Sequence, residues 1–249
     1  MRVNEVQVIG THNSSKQETT PAEQAEYDRL IATPGDYDQY LAYRHPALTD
    51  QLGRQGVRAL ELDLWPDPQG GLYAEPLVRR NLGLGPQPEG EWRAGEDDLL
   101  TPDDVRVPGL TLEQSVLQRG WPSLRSARGQ VAFLMDNDPG PIRIAYTLGR
   151  PNLEARAIFT NSRPGLQDAA FIKRNEPGGA NTAQIQKLVG RGYLVRTRSD
   201  VPLATVRGGS TARRDAAFAS GAQLVSTDLQ EAGMSAGHGA DFVARFPDG

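Results

Sequence analysis

Short apolar, β-branched runs recur along the chain, and most of them stop abruptly in polar residues. Eight stand out, at residues 6–9, 59–65, 71–74, 131–135, 155–159, 169–172, 193–195 and 222–225. Near-continuous apolar character over so short a length is what a strand covered on both faces displays, as in parallel sheets. Between several of the runs the apolar spacing becomes helical. Residues 111–117 open with Thr111-x-x-Gln114, a capping-box signature. Ile185, Leu188 and Val189 lie at helical spacing within 181–189, and the Ala-rich stretch 211–220 is closed by Gly221, a C-terminal stop signal. Strands alternating with helices in this way predict the α/β class. The architecture expected is a single-domain (β/α)8 barrel of TIM type over residues 1–249. Two stretches lack the rhythm, residues 14–48 and 76–109. The first is polar and dense in Tyr and acidic residues, the second rich in Pro and Gly. Both are expected to be long loops following strand ends, where barrels place binding surfaces.

A length of 249 residues agrees with one such barrel. The formal net charge is −4 with both signs interspersed, so no basic stripe of the kind that binds nucleic acid is present. No run approaches the ~20 apolar residues of a membrane-spanning helix. The chain has no cysteine, and therefore no disulfide framework.

The polar residues at the strand ends carry the candidate chemistry. His12 and Asn13 end the first run, Glu61 and Asp63 the second, and Asp136 and Asp138 the fourth. Lys173 and Arg174 end the sixth, Arg196 and Arg198 the seventh, and Asp228 the eighth. In a barrel these points converge on one mouth. Strand alternation puts Glu61 and Asp63 on one face, where two carboxylates repel unless a cation lies between them. That cation is either a metal ion or an arginine such as Arg58. With Asn13 and Asp136 the donors are all hard oxygens, which suits calcium or magnesium rather than zinc, and calcium tolerates the irregular mix best. His12, with an ordinary pKa near neutrality, is the candidate for proton transfer. His45 reads as structural, and His238, in a Gly-rich tail, as exposed. Lys173, Arg174, Arg196 and Arg198 either bind a phosphate or pair with the acids, and Asp200 is placed to orient one of the two arginines that end the seventh run.

The segments Val8-Ile9-Gly10-Thr11-His12-Asn13-Ser14, Gln51-Leu52, Gly56 through Asp63 and Phe133 through Asn137 are similar to those of the calcium-dependent, secreted bacterial phosphoinositide-specific phospholipase C family. Residues 192–198 and 220–228 resemble it more loosely. The resemblance implies a phosphodiesterase barrel in which His12 takes the inositol 2-hydroxyl proton. The hydroxyl then attacks phosphorus, expelling diacylglycerol and leaving a cyclic inositol phosphate. It also implies one calcium ion on Asn13, Glu61, Asp63 and Asp136. Export is implied as well, with Met1 standing in for a removed signal peptide. The expected partner is phospholipid at a membrane surface, met transiently by a monomer. The family's second histidine, the general acid, has no counterpart in Leu72-Tyr73-Ala74-Glu75-Pro76, and Glu75 is the substitute considered. A glycerophosphodiester or sphingomyelin-type phosphodiesterase, and a calcium or headgroup binder without turnover, stay open. Tyr37, Tyr40, Tyr43 and Trp92 are loop aromatics considered for lipid contact.

Overall fold

The computed structural model describes residues 1–16, 19–30, 43–62, 74–86, 99–201 and 204–246. Among them are seven strands: β1 (Val8–Thr11), β2 (Ala59–Leu60), β3 (Phe133–Leu134), β4 (Ile158–Phe159), β5 (Phe171–Lys173), β6 (Leu194–Arg198) and β7 (Leu224–Thr227). Each overlaps one of the apolar runs. The run at 71–74 lies outside the described residues except for Ala74, so the eighth strand of a closed barrel is not among those described. β1, β6 and β7 continue into the polar residues that follow their runs, because a hydrogen-bond ladder makes no demand on side-chain polarity. The fold is mixed α/β, with parallel pairing wherever register is defined, for β1 with β2, β3 with β4 and β5 with β6.

The chain forms two compact units, each from three segments. The first comprises Met1–Val8, Arg93–Ser199 and Ala212–Val225; the second comprises Ile9–Trp92, Asp200–Thr211 and Ser226–Gly249. β1 and β7 pass from one unit into the other. The strand order β2-β1-β7-β6-β5 therefore divides as β7-β6-β5 in the first unit and β2-β1-β7 in the second.

In the first unit, β3 and β4 pair, and a bridge between Asn161 and Phe171 continues the sequence to β5. Its core is apolar: Trp121, Phe159, Phe171, Ile172, Ile185 and Val195 are at most 2 % exposed, and the Trp121 and Phe159 rings lie 5.2 Å apart. The predicted helices appear as α5 (Leu112–Gln118), α7 (Ala180–Arg191) and α9 (Ala212–Ala219). Thr111 caps α5 by accepting the Gln114 N–H, and Ile185 and Leu188 form the buried face of α7. α4 (Pro102–Val105) and α6 (Pro141–Thr147) complete this unit.

The second unit corrects the expectation of long loops. Residues 14–48 contain α1 (Pro21–Leu30), and α2 (Leu48–Gly53) follows. The segment 76–109 contains α3 (Leu77–Leu82) as well as α4, and α8 (Ala204–Arg207) completes the helices. α1 is started by a capping box, since the Thr20 N–H donates to Glu23 and the Glu23 N–H to the Thr20 hydroxyl, with Pro21 as the first helical residue. The Thr20 backbone N–H, then the Thr20 hydroxyl and Arg79, hold the Glu23 carboxyl below its ordinary pKa. The Glu23–Arg79 ion pair at 2.9 Å ties α1 to α3.

Candidate active site

The turn after β1 explains the run Gly10 to Ser14 residue by residue. Gly10 opposes Ala59 across the β1–β2 ladder so closely that a Cβ at position 10 would sit 2.9 Å from the Ala59 Cβ. Thr11, wholly buried, donates its hydroxyl to Gln51 at 2.7 Å. Asn13 adopts φ 49°, the left-handed region that Asn tolerates better than most residues, and this reverses the chain. Ser14 closes the turn onto β2: its N–H donates to the Glu61 carbonyl at 2.8 Å, and its hydroxyl accepts the Glu61 N–H at 2.7 Å. Gln51 completes the bracket by donating to the Ser14 and Pro46 carbonyls.

His12 is thereby held with an acidic side chain near each ring nitrogen. Nδ1 lies 3.0 Å from the Asp228 carboxylate and 3.2 Å from the Tyr43 hydroxyl, and Nε2 lies 3.5 Å from Glu61 Oε1. The His12 N–H donates to the Thr227 carbonyl, and its own carbonyl accepts from His45 Nε2 at 2.9 Å. His45 is buried, with Gln230 against its Nδ1, and so braces the His12 backbone from below. Asp228 is 1 % exposed, and its N–H donates to the buried Asp200. The Asn13 side-chain amide donates to Tyr43 at 2.8 Å. Lys16 lies 5.9 Å over the Tyr43 ring; burial lowers its pKa, and the nearby Asp228 charge opposes that shift.

This arrangement is suited to proton transfer. A carboxylate at Nδ1 favours the tautomer with its hydrogen on that nitrogen, leaving the Nε2 lone pair to accept a proton. Once formed, the imidazolium would lie between Asp228 and Glu61, two carboxylates that stabilise it.

In the first unit, a second group of charges sits at the ends of β5 and β6. Lys173 and Arg196 are register partners. Lys173 Nζ is 3.0 Å from Asp136 and 3.2 Å from Asp138, and Arg196 reaches Asp136 at 2.9 Å and Asn175 at 3.1 Å. Lys173 and Arg196 are therefore brought together, with ion pairing as their present engagement. Arg198 lies two residues further along β6 and lowers the Glu176 pKa as a minor contributor behind Arg213.

The oxygen donors expected for a metal are distributed as follows. Asn13 and Glu61 are in the second unit, at the turn just described; Asp136 is in the first unit; Asp63 lies outside the described residues. The chemistry of Asn13 and Glu61, an amide and a carboxylate oxygen, fits a hard cation. Among the described residues no three His, Cys, Asp or Glu side chains converge as a metal shell. Glu75 precedes α3, its carbonyl accepting from Arg80, and the contacts of His12 do not include it. Tyr37, Tyr40 and Trp92 lie outside the described residues. Tyr43, considered for lipid contact, is 8 % exposed and faces His12 instead. Tyr43 and Gln51 were not legible as site residues, because no local pattern ties a loop tyrosine or a helix glutamine to a strand end. Asp228 was legible as a strand-end acid but not as the partner of His12.

A family model described as phosphoinositide phospholipase C, Ca2+-dependent, matches residues 1–93 and 91–249. Among solved structures, a calcium-dependent phosphoinositol-specific phospholipase C from the Gram-negative bacterium Pseudomonas sp., in its apo form, is similar at 12% identity and a TM-score of 0.48. That match covers 94% of this chain and 93% of the other. No curated protein matches the chain.

Proposed function

The chain belongs to the calcium-dependent phosphoinositide phospholipase C family, and from that premise we propose that it cleaves phosphatidylinositol to diacylglycerol and a cyclic inositol phosphate in a (β/α)8 barrel domain. The observation that carries the reading is His12, held by the turn after β1 and backed at Nδ1 by the buried Asp228 at 3.0 Å. Nε2 takes the inositol 2-hydroxyl proton, and the hydroxyl oxygen forms a bond to phosphorus. The bond from phosphorus to the diacylglycerol oxygen breaks, and that oxygen is protonated as it leaves. We assign the protonating role to Glu75, half-buried ahead of α3 in the same unit as His12. Lys173, Arg196 and Arg198 are assigned to the phosphate, whose charge would compete with Asp136 for them. Asn13, Glu61, Asp63 and Asp136 are the oxygens proposed for calcium. When bound, that ion lowers the pKa of the attacking hydroxyl and offsets phosphate charge. We propose further that the protein is secreted and acts as a monomer.

The test is the identity of the product. Phosphatidylinositol vesicles incubated with the protein and calcium should yield the five-membered cyclic phosphate, resolved by its 31P chemical shift, and a chelator should abolish it. A noncyclic phosphomonoester as the first product, or phosphate release unaffected by chelation, contradicts the proposal.

A further inference from the structure

α6 is built inside out. Its charged residue is turned inward: Arg143 donates Nε to Asp168 at 2.9 Å and a second nitrogen to the other carboxylate oxygen. Asp168 is 2 % exposed and also accepts from the Thr160 hydroxyl at 2.6 Å. Three residues on, Tyr146 packs against the core, accepts the Ile158 N–H at 3.0 Å and lies under the Arg156 guanidinium. Positions 143 and 146 share a helix face, and the large apolar side chains on either side of that face are exposed. Those are Ile142, Ile144 and, one residue past the helix, Leu148, at 56 %, 61 % and 77 % exposure. Apart from Met1, they are the three most exposed large hydrophobic side chains among the described residues.

We propose that α6 and Leu148 dock this protein on the phospholipid surface that carries its substrate, an inference that rests on the lipid-substrate reading above. Three observations choose a lipid bilayer over another occupant. Residues 139–153 contain no carboxylate, and the exposed Arg150 borders the patch, so its charge complements an anionic lipid surface. Asp138, the nearest acid on the N-terminal side, is paired with Lys173. The patch is also too small for a stable pair of copies: seven helical residues span about 10 Å, whereas a lasting protein interface buries roughly 800 Å² on each partner. A few aliphatic side chains with a cationic border are instead sufficient for shallow, reversible insertion. Lastly, α6 starts five residues after Asp136, so the docking helix is joined by a short connection to the charges assigned to the phosphate.

The test compares the calcium-loaded wild type with an Ile142→Ser/Ile144→Ser/Leu148→Ser variant and with Ile144→Trp. Each is sedimented with sucrose-loaded vesicles of phosphatidylcholine and phosphatidylinositol in a 4:1 ratio. The triple variant should lose at least about tenfold in vesicle partitioning, keep the wild-type thermal midpoint, and still hydrolyse a dispersed short-chain phosphatidylinositol within about twofold of wild type. Ile144→Trp should bind the vesicles more tightly. Wild-type partitioning by the triple variant, no change on Ile144→Trp, or no vesicle binding by the wild type each overturns the inference. So does a dimer that the triple variant dissociates while vesicle binding persists. If α6-dependent binding is found without turnover of either substrate, the docking surface stands and the phospholipase reading falls.

Discussion

Both units bury apolar and polar side chains, and they differ in what the buried polar groups hold in place. The first packs Trp121, Phe159, Phe171, Ile172, Ile185 and Val195 into an apolar core. The second buries Thr11, Ser14, His45, Gln51, Asp200, Asp228 and Gln230, and connects most of them by hydrogen bonds running from β1 to β7 through α2. Apolar contacts depend on area and volume and have little direction, whereas hydrogen bonds weaken steeply when misaligned. A network of the second kind therefore specifies where one side chain points, and here the side chain is His12. The associated risk is that each buried polar group must keep its partner, because an orphaned one is penalised.

That contrast can be broken most forcefully at its centre. His12→Ala removes the proposed base and a side-chain partner of the buried Asp228; it should lower phosphatidylinositol turnover by about 10²- to 10⁴-fold and cost about 1–3 kcal/mol of stability, and kcat/KM and the melting midpoint, measured together, check this. Next in size is Gly10→Ala. The added methyl meets Ala59 at 2.9 Å and should cost about 1–3 kcal/mol in a denaturant titration, with lowered activity because the His12 turn begins at the next residue. Arg196→Met should preserve the fold and reduce turnover about tenfold, the loss appearing in steady-state kinetics rather than in melting. The smallest effect is expected in the first unit. Gly190 lies within α7 with nothing near its would-be Cβ, so Gly190→Ala should stabilise by roughly 0.5–1 kcal/mol and leave activity alone. A large loss of activity on that substitution would contradict the reading of α7 as a packing element.

The same contrast explains how much could be read from the chain alone. The first unit was legible, because burial on both faces writes strands 169–172 and 193–195 as apolar runs and α7 as a 3.6-residue period. In the second unit, α1 was passed over as loop because its polarity hid the period. Its start was nevertheless written in Thr20-Pro21-Ala22-Glu23, a capping box with Pro at the first helical position. His12, Asn13 and Glu61 were legible as polar residues at strand ends, and the structure holds His12 and Glu61 side by side. Asp136 was legible as a strand-end acid, but its pairing with Lys173 and Arg196 was only one of two readings, since spacing cannot separate an ion pair from a metal ligand. Tyr43 lies 31 residues from the ring it touches, a proximity that no local pattern encodes.

The most direct test of calcium-dependent phosphodiester cleavage is release of water-soluble inositol phosphate from phosphatidylinositol vesicles by the wild-type protein, first with calcium and then with a chelator. The expected result is steady release with calcium and none after chelation. A folded protein that releases nothing in either condition contradicts the account.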